Sequence, residues 1–80
     1  TDDQAETDRL WAALTADGGQ ESFCGWLKDR YGLSWQIYPR RLGELTMHAD
    51  KGVSARAMAA MMTMGKIDIA AIEAAARQTA

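Results

Sequence analysis

The sequence predicts an α+β fold, a small antiparallel sheet covered on one side by helices. Three observations predict it. Two runs rich in aromatic and branched residues, Phe23–Lys28 and Leu33–Tyr38, flank Asp29-Arg30-Tyr31-Gly32, and Pro39 closes the second. Before them, Thr7, Leu10, Trp11 and Leu14 recur at helical spacing and stop at Gly18-Gly19. After them, alanine- and methionine-rich runs carry their own capping residues. With 80 residues the chain supplies one small domain and a modest core.

In chain order, the first helix is expected from about Asp3 to Ala16. Asp3 and Glu6 stand at capping-box spacing, and Asp2, Asp3 and Glu6 suit the positive end of the helix dipole. Gly18-Gly19 ends it, because glycine takes the left-handed cap conformation without steric cost. Gln20–Ser22 reads either as a short strand or as the approach to the hairpin. A turn with Asp first and Gly last suits a type I turn followed by a left-handed residue. With Lys28 facing Leu33, Trp26 falls opposite Trp35 and Cys24 opposite Ile37, a packing face completed by Trp11. The other face then pairs Leu27 with Ser34, Gly25 with Gln36 and Phe23 with Tyr38. Those six residues, Phe23, Gly25, Leu27, Ser34, Gln36 and Tyr38, are the expected cavity lining, the alternative from the pattern being a half-solvated sheet face.

Beyond Pro39 the pattern loosens, and only one short helical turn is expected, anchored by Leu42 and Leu45. Ser54 reads as the N-cap of a helix from Ala55 to about Met64, with Met58, Met61 and Met62 on one face toward the core. Asp68 caps a last helix from Ile69 to about Arg77, with Ile67 and Ile72 as a hydrophobic staple and a Glu73–Arg77 pair. Residues 1–39 thus form the helix-and-hairpin part, and 40–80 the connector and C-terminal helices of the same domain.

Chemistry is sparse. A net charge of −2 gives no reason to expect nucleic acid or an anionic membrane as partner. No apolar run approaches the ~20 residues that cross a bilayer, and no export leader is visible. Cys24, the only cysteine, is read as a structural thiol in a cytoplasmic setting. Neither Gly-x-Gly-x-x-Gly nor a P-loop occurs, so no cofactor is expected. His48 with Glu44 or Asp50 reads as solvated rather than metal-binding, and Arg40, Arg41, Lys28 and Arg30 as a solvated charge cluster rather than an anion site.

The run Cys24-Gly25-Trp26-Leu27-Lys28-Asp29-Arg30-Tyr31-Gly32-Leu33-Ser34-Trp35-Gln36-Ile37-Tyr38-Pro39 strongly resembles the signature of PhnB-like proteins. These belong to the glyoxalase/bleomycin-resistance/dioxygenase (vicinal oxygen chelate) superfamily, in the branch labelled 3-demethylubiquinone methyltransferase. Glu6–Trp11 with Leu14 and Gly18-Gly19, and Ala60–Met64 with Lys66–Ile69, Ile72 and Glu73, resemble the flanking parts. The resemblance implies two βαβββ modules curled around a shared cavity. This chain is similar to the second module without its first strand, an incomplete βαβββ module followed by two C-terminal helices. The implied function is small-molecule binding, with the N-terminal module of the same protein and a homodimeric copy as partners. Metal-using relatives place a glutamate ligand on a module's last strand. The matching position here is Gln36, a weaker ligand for a hard cation, so no metal is expected from this segment. Alternatives are a metal-dependent lyase, isomerase or dioxygenase with ligands from elsewhere, and a sequestering module of the resistance type. The methyltransferase label implies a donor site that these residues do not supply.

Overall fold

The computed structural model describes residues 1–78. The elements run α1 (Gln4–Thr15), β1 (Gln20–Glu21), β2 (Trp26–Lys28), β3 (Ser34–Gln36), α2 (Arg40–Thr46), α3 (Lys51–Met61) and α4 (Ile69–Arg77). The three strands form one antiparallel sheet in the order β1-β2-β3, so the α+β class is met.

α1 starts as its capping residues dictate. The Asp3 carboxylate accepts from Glu6 N at 2.8 Å, and the Glu6 carboxylate reaches back to Asp2 N at 2.9 Å. The helix ends through two left-handed residues, Asp17 (φ 56°) and Gly18 (φ 99°). Its inner stripe buries Thr7 and Trp11, with Leu10 and Leu14 beside them. Thr1 lies along the end of the sheet: its N donates to Tyr38 O, and its O accepts from Arg40 N, both at 2.7 Å. Bonds to the residues on either side of one partner, here Pro39, are those of a parallel pairing.

Two hydrophobic clusters result. Trp11, Leu27 and Ile37 form the first, between α1 and the sheet. Leu42, Leu45, Ala57, Ile67, Ile72 and Ala76 form the second, among the later helices. Gln4 joins them, its amide donating to Ile67 O at 3.0 Å and accepting from Ile69 N at 2.8 Å.

Several expectations for the second half need correction. The expected single turn at Leu42 and Leu45 is a full helix, α2, which buries both leucines. Gly43 serves it by leaving room for Tyr38, whose ring carbon would stand 3.2 Å from a Cβ there. α3 begins earlier than expected, because Asp50 rather than Ser54 caps it, accepting from Gly52 N at 2.8 Å and Val53 N at 3.3 Å. Ser54 Oγ instead donates to Thr46 O. Met58 and Met62 are exposed, not core; the stripe that packs is Val53, Ala57, Ala60, Met61 and Met64. α4 is capped by Asp68 and flanked by buried Ile67 and Ile72 as expected. Glu73, however, pairs with Arg41 at 3.1 Å instead of Arg77. Residues 79 and 80 of the expected C-terminal part lie outside the described residues.

Candidate functional site

The hairpin between β2 and β3 sets which side chains share a face. Asp29 and Leu33 pair through Asp29 N to Leu33 O at 2.9 Å, while Gly32 N donates to Asp29 O at 2.9 Å. Gly32 follows in the left-handed conformation at φ 81°. This is the type I turn with a left-handed glycine that the residues predicted, but only Arg30, Tyr31 and Gly32 form the loop. The register is therefore Lys28↔Ser34, Leu27↔Trp35 and Trp26↔Gln36. Relative to the expected pairing it is shifted by one residue, and such a slip moves one strand's side chains to the opposite face.

The consequence overturns the expected tryptophan pair. Trp26 and Trp35 lie on opposite faces, 45% and 42% exposed, so they do not pack back to back. The covered face belongs to Leu27, 1% exposed, and Ile37, packed with Trp11. Trp11 Nε1 donates to a Glu21 carboxylate oxygen at 2.7 Å, which ties α1 to β1 on that same side. Trp35 sits at its outer end, its Nε1 donating to Asp29 at 3.0 Å. Asp29 also accepts from Tyr31 N and Leu33 N. The bond from Trp35, with the two backbone donors, holds the Asp29 carboxyl below the usual aspartate range.

The opposite face is open. Pairing across the strands arranges Gln20, Lys28 and Ser34 in one row. Ser22, whose N donates to Trp26 O at 3.0 Å, continues into Trp26 and Gln36 in the next. A depression of about 390 Å³ lies over this grid, lined by Gln20, Glu21, Ser22, Trp26, Lys28 and Ser34. The expected lining residues therefore separate. Ser34 and Gln36 stand on the open face, whereas Leu27 is in the core beneath it. Phe23 is 74% exposed in the β1–β2 turn, and Tyr38 turns toward α2, its hydroxyl 3.4 Å from Thr46 Oγ1. Gly25 is buried backbone: its N donates to Gly65 O and its O accepts from Ile37 N, both at 2.8 Å. Trp26, Lys28, Gln20 and Ser22, absent from the expected lining, stand on this face. The signal that identifies them is the turn itself, because a left-handed Gly32 after a type I turn makes Asp29 a strand residue.

Gln36 is half-buried and oriented by its neighbour, with Nε2 donating to Cys24 O at 3.1 Å. Cys24 is held in the left-handed region at φ 58°, its N donating to Met64 O. His48 Nδ1 accepts from Asp50 N at 3.0 Å, and no cluster of metal-ligating side chains occurs among the described residues. The four basic residues weighed as an anion edge do not assemble: Arg30 pairs with Asp17, Arg40 with Asp2, and Arg41 with Glu44 and Glu73. Glu73 and Glu44 hold the Arg41 guanidinium above its ordinary range. No described helix is long and apolar enough to cross a membrane.

No curated protein matches the chain. Residues 1–38, which include every side chain of the open face, match the model of the family described as 3-demethylubiquinone-9 3-methyltransferase, and the chain is similar to that family over this segment.

Proposed function

We propose that this chain is the second half of a PhnB-like, glyoxalase-type small-molecule-binding protein, and that the open face of its sheet lines the ligand cavity. One observation carries the reading: an indole, Trp26, lies among Ser22, Lys28, Ser34 and Gln36 on the side of the sheet that α1 leaves uncovered. An apolar platform ringed by a few polar groups is the usual composition of a ligand site. The match over residues 1–38 supports the same placement. The family's name speaks of methyl transfer; the function proposed is binding, with no metal ligated by this segment, because Gln36 offers a neutral amide, a weaker ligand for a hard cation than a carboxylate.

The outer edge of β3 supports the partner reading. β3 pairs only with β2 within the sheet, and Thr1 already makes parallel-type bonds around Pro39. An unpaired edge is a template for another strand. The N-terminal module, and a second copy of the whole protein, are the occupants proposed for the sheet's uncovered surfaces.

The test is a thermal-shift screen of small metabolites on the full-length protein, followed by amide-shift mapping of each hit. A ligand that binds the native state raises the melting temperature. Hits are expected to move the amides of Trp26, Lys28, Ser34 and Gln36. Hits that consistently map to the α2–α4 side would overturn the assignment of the site.

A further inference from the structure

We infer that the open face takes a planar aromatic monoanion, stacked on Trp26 and neutralised by Lys28; the inference rests on the reading of that face as a ligand site. Lys28 is the central residue of its row, flanked across the strands by Gln20 and Ser34, neither of which carries charge. Four other cations have acidic partners, Arg30 with Asp17, Arg40 with Asp2, Arg41 with Glu44 and Glu73, and Lys66 with Asp8, and no cation other than Lys28 lines the depression. No such ion pair is made by Lys28 among the described residues. The one acidic residue lining the depression, Glu21, is paired with Leu27 and accepts from Trp11 Nε1 on the α1 side. Lys28 therefore faces the depression without an ion-pair partner, and one negative charge on the ligand would supply it.

Trp26 stands two residues from Lys28 on the same strand and face. At about 3.3 Å per residue their backbones are roughly 6.6 Å apart along the strand. A six-membered ring resting on the indole and carrying a carboxylate one bond away spans that separation, completed by a charge-assisted hydrogen bond of about 2.8 Å. Ring-on-ring contact is favoured by offset stacking, which an aliphatic ligand of the same size cannot supply. Ser22 and Ser34 flank the two anchors and offer hydroxyls to ring substituents or to the carboxylate. The arrangement disfavours a polyanion, which would meet one lysine and no arginine on this face.

The experiment titrates the full-length protein with three probes of similar size: benzoate, its neutral counterpart benzyl alcohol, and the non-aromatic anion cyclohexanecarboxylate. Binding is read by amide shifts and indole fluorescence, in wild type and in Lys28→Gln and Trp26→Leu. Benzoate is expected to bind at least tenfold more tightly than either other probe, shifting Trp26, Lys28 and Ser34. Lys28→Gln should remove the preference over benzyl alcohol, and Trp26→Leu the preference over cyclohexanecarboxylate. Equal affinity for all three probes at this face overturns the ligand class and leaves the site reading standing. Failure of every probe to shift these amides, in a protein whose spectrum shows it folded, overturns the ligand class; if the metabolite hits also bind elsewhere, the site reading falls separately.

Discussion

Three tryptophans of one chain do three different things, and their exposure predicts how each responds to removal. Trp11 is 4% exposed against Leu27 and Ile37, so Trp11→Ala should cost about 3–5 kcal/mol, the range for a buried large aromatic. Trp35 is 42% exposed and anchored mainly by its bond to Asp29, so Trp35→Ala should lose less than half as much in the same urea titration. The sequence alone places Trp35 in the core with Trp26 and Trp11, and its exposure corrects that placement. Asp29 adds a pH signature. Its folded carboxyl titrates below the ordinary 3.8 because the Trp35 indole, then Leu33 N and Tyr31 N, stabilise the charged form. A lowered folded value means that the stabilisation is present above the unfolded value and is lost as pH falls through the folded one. The stability difference between wild type and Asp29→Asn should therefore be constant near neutrality and shrink below about pH 4. Asp8 and Asp50, also lowered, are unchanged in that comparison and cancel from it.

At the scale of elements, local chemistry was legible at most caps and turns, the α3 cap at Asp50 being the exception. Asp3 and Asp68 cap their helices, Gly18 is left-handed after α1, and Asp29 to Gly32 makes the turn, all from residue types readable in order, although it is Asp17 rather than Gly19 that joins Gly18 in that conformation. What stayed hidden depended on counting or on distant neighbours. Reading Asp29 as loop rather than strand displaced the register by one, and half the candidate lining went to the wrong face with it. The alternation was sound, but its phase was set by a turn with three loop residues. In α3 the large methionines looked like the core face, yet Ala57, at 0% exposure, packs near Ala76 of α4, because small side chains let two helices approach closely. α2 was read as a single turn because Gly43 breaks its pattern for the sake of Tyr38, a contact that no local spacing reveals. The β1–β2 turn is equally tertiary. Gly25 sits at φ 81°, and an added Cβ would lie 2.9 Å from Ile37 O and 3.1 Å from Ile67 Cγ1. Gly25→Ala should cost more than the ~1–2 kcal/mol that left-handed backbone alone imposes, read as a lowered urea midpoint with unchanged slope.

Across the whole molecule, dimensions of 42 × 19 × 17 Å separate a sheet end, with its own cluster under α1, from a helical end built on α2, α3 and α4. Gln4 and the Cys24–Gly25 bonds to Met64 and Gly65 hold the two together. One face of the sheet has no covering helix among the described residues, and that face is the one proposed to line the ligand cavity. Everything claimed for function depends on Trp26, Lys28, Ser34 and Gln36 occupying that face together. Interstrand proton contacts test this most directly. In the register described, Trp26/Gln36 and Lys28/Ser34 are the close, non-hydrogen-bonded pairs, with Cα atoms about 4.5 Å apart. Strong Hα–Hα nuclear Overhauser contacts are expected between Trp26 and Gln36 and between Lys28 and Ser34. Contacts linking Trp26 directly to Trp35 and Lys28 to Leu33 as opposed pairs would put the tryptophans back to back and contradict the account.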